Sequence, residues 1–475
     1  MKKMKKLNKT TVPIPDRPVK VLQFGSGNFL RGFADWMIEL MNARGNYNGS
    51  VVVVQSHSTS VPQAFLEQDN LYHVLIQGIE KGKTVNSHQL ITCIEAVINP
   101  VLEYNSFLQQ AENPDLELII SNTTEAGIQF DPMDIPTACQ TPKTFPGKLT
   151  ALLYRRFEFF DGDMGKGLSI IPCELIENNG AALKAAVLKY IALWDYPEAF
   201  KRWIMEAVDF CNSLVDRIVP GFPENNYREM QEQLGYEDHL MVVAEPFHSW
   251  VIEASPVTIK RFPAIQAGHQ VKFVADLAAY RTRKVRILNG AHTAMVPLGL
   301  LAGIETVKEA IENNELGILI RQIIFQEIIP VLELPKKELD AFAQDVLDRF
   351  SNPFIRHELS SIALNSISKF RVRVLPTILD YHKKLGHWPT GLMQSFAALL
   401  LLYKGTFNGM KRHLKDEPKI LEIFQSAWEK KQSLNELVNT FLSDKALWGE
   451  DLSQIEGLIE VIEKELKLQI SKHSQ

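Results

Sequence analysis

The chain has 475 residues, more than one hydrophobic core ordinarily supports, so two domains are expected. With 45% hydrophobic and 23% charged residues it has a globular composition, and its net charge of -5 offers no basic field for nucleic acid and no polybasic anchor for lipid. Cys93, Cys139, Cys173 and Cys211 stand without CxxC pairing, which fits a reducing cytoplasm and argues against a disulfide framework or a thiolate metal site.

The opening stretch MKKMKKLNKT is basic and no apolar run follows it. Residues 1–17 are therefore expected to be a frayed, solvated tail, not a signal peptide. Val19 to Gly25 (VKVLQFG) is a short β-rich run ending in glycine, and the apolar spacing of NFLRGFADWMIELMNAR after it is helical. Ser50 to Gln55, Leu116 to Asn122 and Gly167 to Leu175 are further predicted strands, whose β-branched runs suit parallel strands covered on both faces. Such alternation predicts an α/β domain with a parallel sheet over residues 18–265. The turn-rich SPVTIKRFPAIQAGHQ marks the boundary region. Beyond it, amphipathic stretches such as ELGILIRQIIFQEIIPVLEL, KELDAFAQDVLDRFSN and DLSQIEGLIEVIEKELKLQI predict an all-α domain over residues 266–475, with nothing that reads as a sheet. The apolar run Phe396 to Tyr403 is too short to cross a bilayer and suits a buried helix.

Phe24, Gly25, Ser26, Gly27, Asn28, Phe29 and Arg31 lie where the first strand meets the first helix. Gly25 permits a tight turn there, and Gly27 lets the backbone approach a pyrophosphate that also meets the free N–H groups of the helix N-terminus. The third glycine of the usual dinucleotide fingerprint is replaced by Leu30, with Gly32 two residues later. Arg31 either sits near the phosphates or is a solvated helix residue. The second strand ends in Gln55, Ser56 and His57, without the carboxylate that would bind the adenosine ribose; NAD is expected, with NADP left open. Ser121, Asn122 and Thr123 would line the carboxyl edge of the sheet as cofactor contacts, although Asn122 or Thr123 could equally cap a helix.

KVRILNGAH carries Lys284, Asn289 and His292. On an ideal α-helix Asn289 would lie about 140° from Lys284 and His292 about 80°. Each polar residue alone has an ordinary explanation. Together they supply a base for a hydroxyl proton and donors for a developing carbonyl oxygen, the parts that hydride transfer at a carbinol needs. A lysine acts as such a base near neutral pH when burial or a neighbouring cation lowers its pKa.

Three stretches resemble the long-chain, metal-independent polyol dehydrogenases that include mannitol 2-dehydrogenase: GSGNFLRGF, FCNSLVDRIVP and KVRILNGAH. The resemblance implies a Rossmann domain followed by a helical domain, with Lys284 as general base, Asn289 as carbonyl-polarising donor and His292 as an orienting group. Within that family, IISNTTEAGI, LTALLYRRF, PCELIENNG and LNSISKF are similar to the subgroup that reduces D-tagaturonate to D-altronate with NADH in galacturonate catabolism. Cys173-Glu174-Leu175 replaces the Cys-Asp-Asn run of the mannitol enzymes, and Arg281 stands where they have a carboxylate. A hexulosonate carries a carboxylate that mannitol lacks, which makes Arg281, Lys369, Arg371 and Arg373 candidate partners for it, against ordinary helix-surface solvation. Asp216 is left open as a substrate contact, while Arg217 reads as structural.

A fructuronate reductase or a mannitol dehydrogenase of the same family would share these residues. A non-catalytic dinucleotide-binding protein would keep the glycine turn but place no demand on Lys284, Asn289 and His292. No metal is expected, since neither HExxH nor clustered Cys/His ligands occur. The expected partner is a small sugar acid, with no nucleic acid and no membrane; the sequence leaves the oligomeric state open.

Overall fold

The computed structural model describes residues 4–55, 60–135, 140–407, 410–411 and 414–473; Ser56, His57 and Cys139 lie outside them. Packing divides the chain into Met1–Gln77 with Thr84–Leu277, and Gly78–Lys83 with Ala278–Gln475.

In the first unit, six strands form one parallel sheet: β1 (Val19–Phe24), β2 (Ser50–Val54), β3 (Ile94–Ile98), β4 (Leu118–Ser121), β5 (Ser169–Pro172) and β6 (Asp209–Phe210). Their order is β3-β2-β1-β4-β5-β6, with every pairing parallel. Successive side chains point to opposite faces. Val21, Val51, Val53, Leu118 and Ile120 accordingly enter one core, while Leu22, Phe24, Val52, Val54 and Ile119 enter the other. Each such side chain contributes about 1.5–3 kcal/mol by leaving water, so the unbroken β-branched runs are what a sheet covered on both faces requires. The order reverses direction between β1 and β4, and a doubly wound sheet binds ligands outside the carboxyl ends of the strands at that point.

Other strands escape the periodicity reading. Tyr72–Glu80 and Lys83–Ile91 pair side by side, with Val242–Ala244 added parallel to the first. Lys83–Ile91 is largely exposed and polar, so it lacks an apolar signature. A smaller sheet joins Ser213–Asp216, Ser249–Glu253 and Val271–Val274. The last of these strands lies beyond residue 265 yet packs with the first unit, so the packing boundary falls at Leu277/Ala278. The tail expected to fray instead lays Lys5–Lys6 parallel to Tyr236–Glu237 and buries Leu7.

Among the described residues from Ala278 onward the second unit is helical apart from a single bridge between Thr306 and Glu358 and a two-residue pairing of Thr406–Phe407 with Met410–Lys411, which the expectation of an all-α domain did not include. At its centre lies Thr390–Leu402, an apolar helix packed against Ala291–Leu301 and Leu458–His473. Ser395 Oγ donates to the Ala294 carbonyl at 2.8 Å, tying this helix to the one that carries His292. Pro389 stands at its N-cap with no side-chain acceptor to offer. Buried Glu327 does that work from another element, accepting from the backbone N–H groups of Gly391 and Leu392, both at 2.8 Å. Hydrogen bonds donated by helix N–H groups to a carboxylate are worth about 1.5–3 kcal/mol. Glu327→Ala is therefore expected to lower stability by about 2–3 kcal/mol, read as a lower urea midpoint, with Glu327→Gln in between. An unchanged midpoint would contradict this capping role.

Candidate active site

At the carboxyl edge of β1 the backbone of Gly25 adopts φ +118°, and a Cβ there would sit 2.9 Å from the Asn122 carbonyl oxygen. Gly25 N donates to Val54 O at 2.9 Å, and Asn122 N donates to Phe24 O at 3.1 Å. The ends of β2, β1 and β4 are thereby laced together, and only a glycine fits the crossing. A Cβ on Gly27 would meet nothing within 4 Å, so the chain there faces open space. Ser26 is half-exposed and Asn28 exposed, while Phe29 stacks on Phe33 with ring centroids 4.9 Å apart. The Phe24 side chain points away from this edge into the core, against Phe107 and Phe145.

Arg31 is half-buried and held by neighbouring elements. Its guanidinium donates to the Leu240 carbonyl and, at 2.6 Å, to Asn28 Oδ1, and it lies 5.5 Å from the Tyr72 ring centroid. Arg31–Asp35 form a π-helical turn, and Asp35 is buried beneath the glycine turn. Tyr72 Oη donates to Asp35 Oδ2 at 2.8 Å; Gln23 Nε2 reaches the same oxygen at 3.4 Å and the Gly25 carbonyl at 3.1 Å. Burial pushes the Asp35 carboxyl up to about 7, against the downward pull of Tyr72, Gln23 and Arg31. Sequence reasoning missed this group, whose members share no motif.

Gln55, at the end of β2, is buried, and neither end of its amide has a partner among the described residues. Ser121 and Thr123 are both held by Glu174, and neither Asn122 nor Thr123 caps a helix: Thr124 occupies the N-cap of the short turn Glu125–Gly127. Open space at Gly27, the constrained backbone at Gly25 and the unpaired Gln55 amide suit a dinucleotide, with phosphates at the helix start and an adenosine ribose near Gln55.

Asp216 ends the strand Ser213–Asp216 and is buried. Arg217 lies 4.0 Å from the Trp36 ring centroid and donates to the Gly32 carbonyl at 2.7 Å and the Glu245 carbonyl at 2.9 Å. Burial lowers its pKa to about 9 despite Glu245. Within the first unit it braces the helix that follows the glycine turn.

In the second unit Lys284–Gly290 is a π-helical turn continuing from Ala278–Arg283 into Ala291–Leu301. The α-helical azimuths therefore do not hold. Bonds from i to i+5 widen the turn and bring residues five apart, Lys284 and Asn289, closer to one face than 3.6 residues per turn would allow. Both side chains are half-buried. A Cβ on Gly290 would come within 3.1 Å of the Arg373 carbonyl, so the helix Ser366–Arg373 ends directly against this turn. His292 stacks on Phe350 at 4.2 Å and meets the edge of His357 at 4.9 Å; its Nε2 is buried without a partner among the described residues. Burial first, then His357, Arg349 and Arg373, hold its pKa well below the usual histidine range, so the ring is neutral. Arg349, Phe350 and His357 were not legible beforehand, since they reach His292 from other elements.

Among the candidate cations, Arg281 is half-exposed on Ala278–Arg283. Lys369 Nζ donates to the Ile362 carbonyl at 2.9 Å; burial and Arg373 lower its pKa. Arg371 is half-exposed on Ser366–Arg373, the helix that also carries Lys369. Arg283 and Arg286 are held in packing, by Glu338 at 3.0 Å and Asp380 at 3.2 Å. Among the described residues no group of three or more His, Cys, Asp or Glu side chains is arranged to hold a metal ion, and no helix is long and apolar enough to cross a membrane.

Residues 19–266 match the mannitol dehydrogenase Rossmann domain and residues 276–469 the mannitol dehydrogenase C-terminal domain. An altronate oxidoreductase of Bacillus subtilis (strain 168) is 47% identical over 457 residues, covering 96% of this chain and 94% of the relative. One from Bacteroides thetaiotaomicron is 43% identical over 469 residues, covering 98% and 97%. Two solved structures share the fold. Substrate-free D-sorbitol dehydrogenase has a TM-score of 0.76 at 22% identity, covering 98% of each chain. Pseudomonas fluorescens mannitol 2-dehydrogenase, in a ternary complex with NAD and D-mannitol, has a TM-score of 0.65 at 23% identity, covering 97% and 96%.

Gly25→Ala combines positive-φ strain with a clash on a backbone oxygen, so it is expected to weaken dinucleotide binding at least ~10-fold, measured by fluorescence titration. Unchanged affinity would mean that the turn is not a binding element. Asp35 has a raised folded pKa, so its contribution to stability is full below about pH 4 and is lost as pH rises through about 7. Asp35→Asn is expected to flatten the fall in thermal stability across that window; a retained slope would place the titration elsewhere.

Proposed function

Because the chain belongs to the mannitol dehydrogenase family, we propose that it is an NAD-dependent oxidoreductase that reversibly reduces D-tagaturonate to D-altronate. The observation that carries the substrate is the near full-length identity of 41–47% to altronate oxidoreductases. Bound NADH supplies a hydride to the carbonyl carbon. The chain's residues do the rest. The backbone around Gly25 and Gly27 holds the pyrophosphate at the helix start, with Ser26, Asn28 and Phe29 beside it. Gln55 takes the ribose hydroxyls with a neutral amide. Ser121, Asn122 and Thr123 border the cofactor at the end of β4.

In reduction, the Lys284 ammonium gives a proton to the carbonyl oxygen as negative charge develops there, and in oxidation the neutral amine takes it back. Asn289 donates a hydrogen bond to the same oxygen and stabilises that charge. Neutral His292, clamped by Phe350, orients lysine or substrate without competing for the proton. Arg281 and Arg371 bind the substrate carboxylate. Lys369, already committed to the Ile362 carbonyl, adds positive potential, and Asp216 is a further substrate contact.

Initial rates with tagaturonate, fructuronate and fructose, using NADH and NADPH, test the assignment. The expected order places tagaturonate with NADH first in kcat/KM; faster turnover of fructose would overturn it. Lys284→Ala is expected to lower kcat about 10²–10⁴-fold while NADH binding is retained. Near-normal turnover would remove the general acid/base role.

A further inference from the structure

We propose that Glu174 is a positioning residue for the cofactor: its buried carboxylate clamps the loop after β4 and, through that loop, the glycine turn. This rests on the reading that NADH binds at the carboxyl edge of the sheet.

Glu174 follows β5, is 2% exposed, and directs the polar atoms of its side chain at the neighbouring loop. Oε2 accepts from Ser121 Oγ at 3.0 Å, while Oε1 accepts from Thr123 N at 2.9 Å and Thr123 Oγ1 at 3.0 Å. Its own backbone is pinned in turn. Asn179 Nδ2 donates to the carbonyls of Pro172, Glu174 and Ser213 at 3.0, 3.0 and 3.1 Å. Burial raises the Glu174 pKa, and the bonds from Thr123 and Ser121 oppose that rise.

The clamped loop includes Asn122, whose carbonyl oxygen lies against Gly25, and Thr124, a non-glycine residue at φ 95°. A backbone held at such an angle persists only where its surroundings over-determine it. The three bonds that Glu174 accepts from Ser121 and Thr123, with the Asn122 N–H donated to the Phe24 carbonyl, fix the chain that leads into Thr124. A carboxylate just past the end of a different strand thus sets the spacing between the two loops that would hold the cofactor. Beside it, Leu175 is 64% exposed, so the two residues divide the work: one faces inward to the loop, the other outward.

The variants separate the clamp from simple folding. Glu174→Gln keeps an oxygen for Thr123 and can donate to Ser121 Oγ, so NADH affinity is expected within about threefold of the unmodified enzyme. Glu174→Met fills the same space without an acceptor; its Kd for NADH is expected to rise at least ~10-fold, with kcat at saturating NADH within about threefold. Glu174→Leu, which likewise offers no acceptor and alters no proposed cofactor contact, is expected to raise Kd at least ~10-fold and decides the matter should Glu174→Met not fold. A folded Glu174→Met enzyme with unchanged Kd, or a kcat that falls in step with affinity and thermal stability, would overturn the proposal. Failure of the unmodified enzyme to bind NADH would instead overturn the cofactor reading on which it rests.

Discussion

A backbone crossing at the point where the sheet changes direction sets the geometry of the first unit. Gly25 passes so close to the Asn122 carbonyl that a methyl group would strike it. That proximity follows from parallel pairing of β1 with β4, whose last partners are Phe24 and Ser121. Two valine- and isoleucine-rich cores hold the strands in register, and the register brings the two loops together. A ligand site at this edge is thus a consequence of sheet order. Around the crossing lies a second layer of polar side chains: Gln23 on the Gly25 carbonyl, Asp35 and Tyr72 beneath, Arg217 on the Gly32 carbonyl. Buried polar groups of this kind are costly unless satisfied, so their presence beneath the turn shows where conformational precision is concentrated.

The helical unit meets a different constraint. Its segment with Lys284 and Asn289 is wound wider than an α-helix, and the glycine at its end lets the Arg373 carbonyl come close. Such turns recur at functional sites because they re-aim side chains without breaking the helix. His292 is then fixed by an aromatic face and an electropositive surrounding that keeps it uncharged. The helix is held from behind by Ser395 and by the packing of Thr390–Leu402, whose own N-terminus depends on Glu327.

The strands of the parallel sheet were legible because burial on both faces leaves an unbroken β-branched run, as in SVVVV. The glycine turn was legible because its chemistry sits in adjacent residues. What escaped was encoded by distance. Glu174 meets Thr123 across 51 residues and Asp35 meets Tyr72 across 37, so neither pair forms a motif. Glu174 therefore drew notice only as a departure from an Asp-Asn pattern. Arg31 offered two readings, phosphate contact or solvated residue, and its contacts with Leu240, Asn28 and Tyr72 come from positions that no local pattern points to. The wider turn at Lys284 was hidden because periodicity reasoning assumes 3.6 residues per turn. The tail failed for a related reason: two residues of strand pairing and one buried leucine are too short a signal for composition to register.

The proposed reaction passes hydride from NADH to a sugar-acid carbonyl, with a proton following to oxygen. Isotope tracing addresses that event most directly. NADH deuterated at the transferable position, incubated with tagaturonate, should yield altronate carrying one deuterium on the new carbinol carbon. Altronate formed without label, or cofactor oxidised with no labelled sugar acid, would contradict direct hydride transfer by this chain.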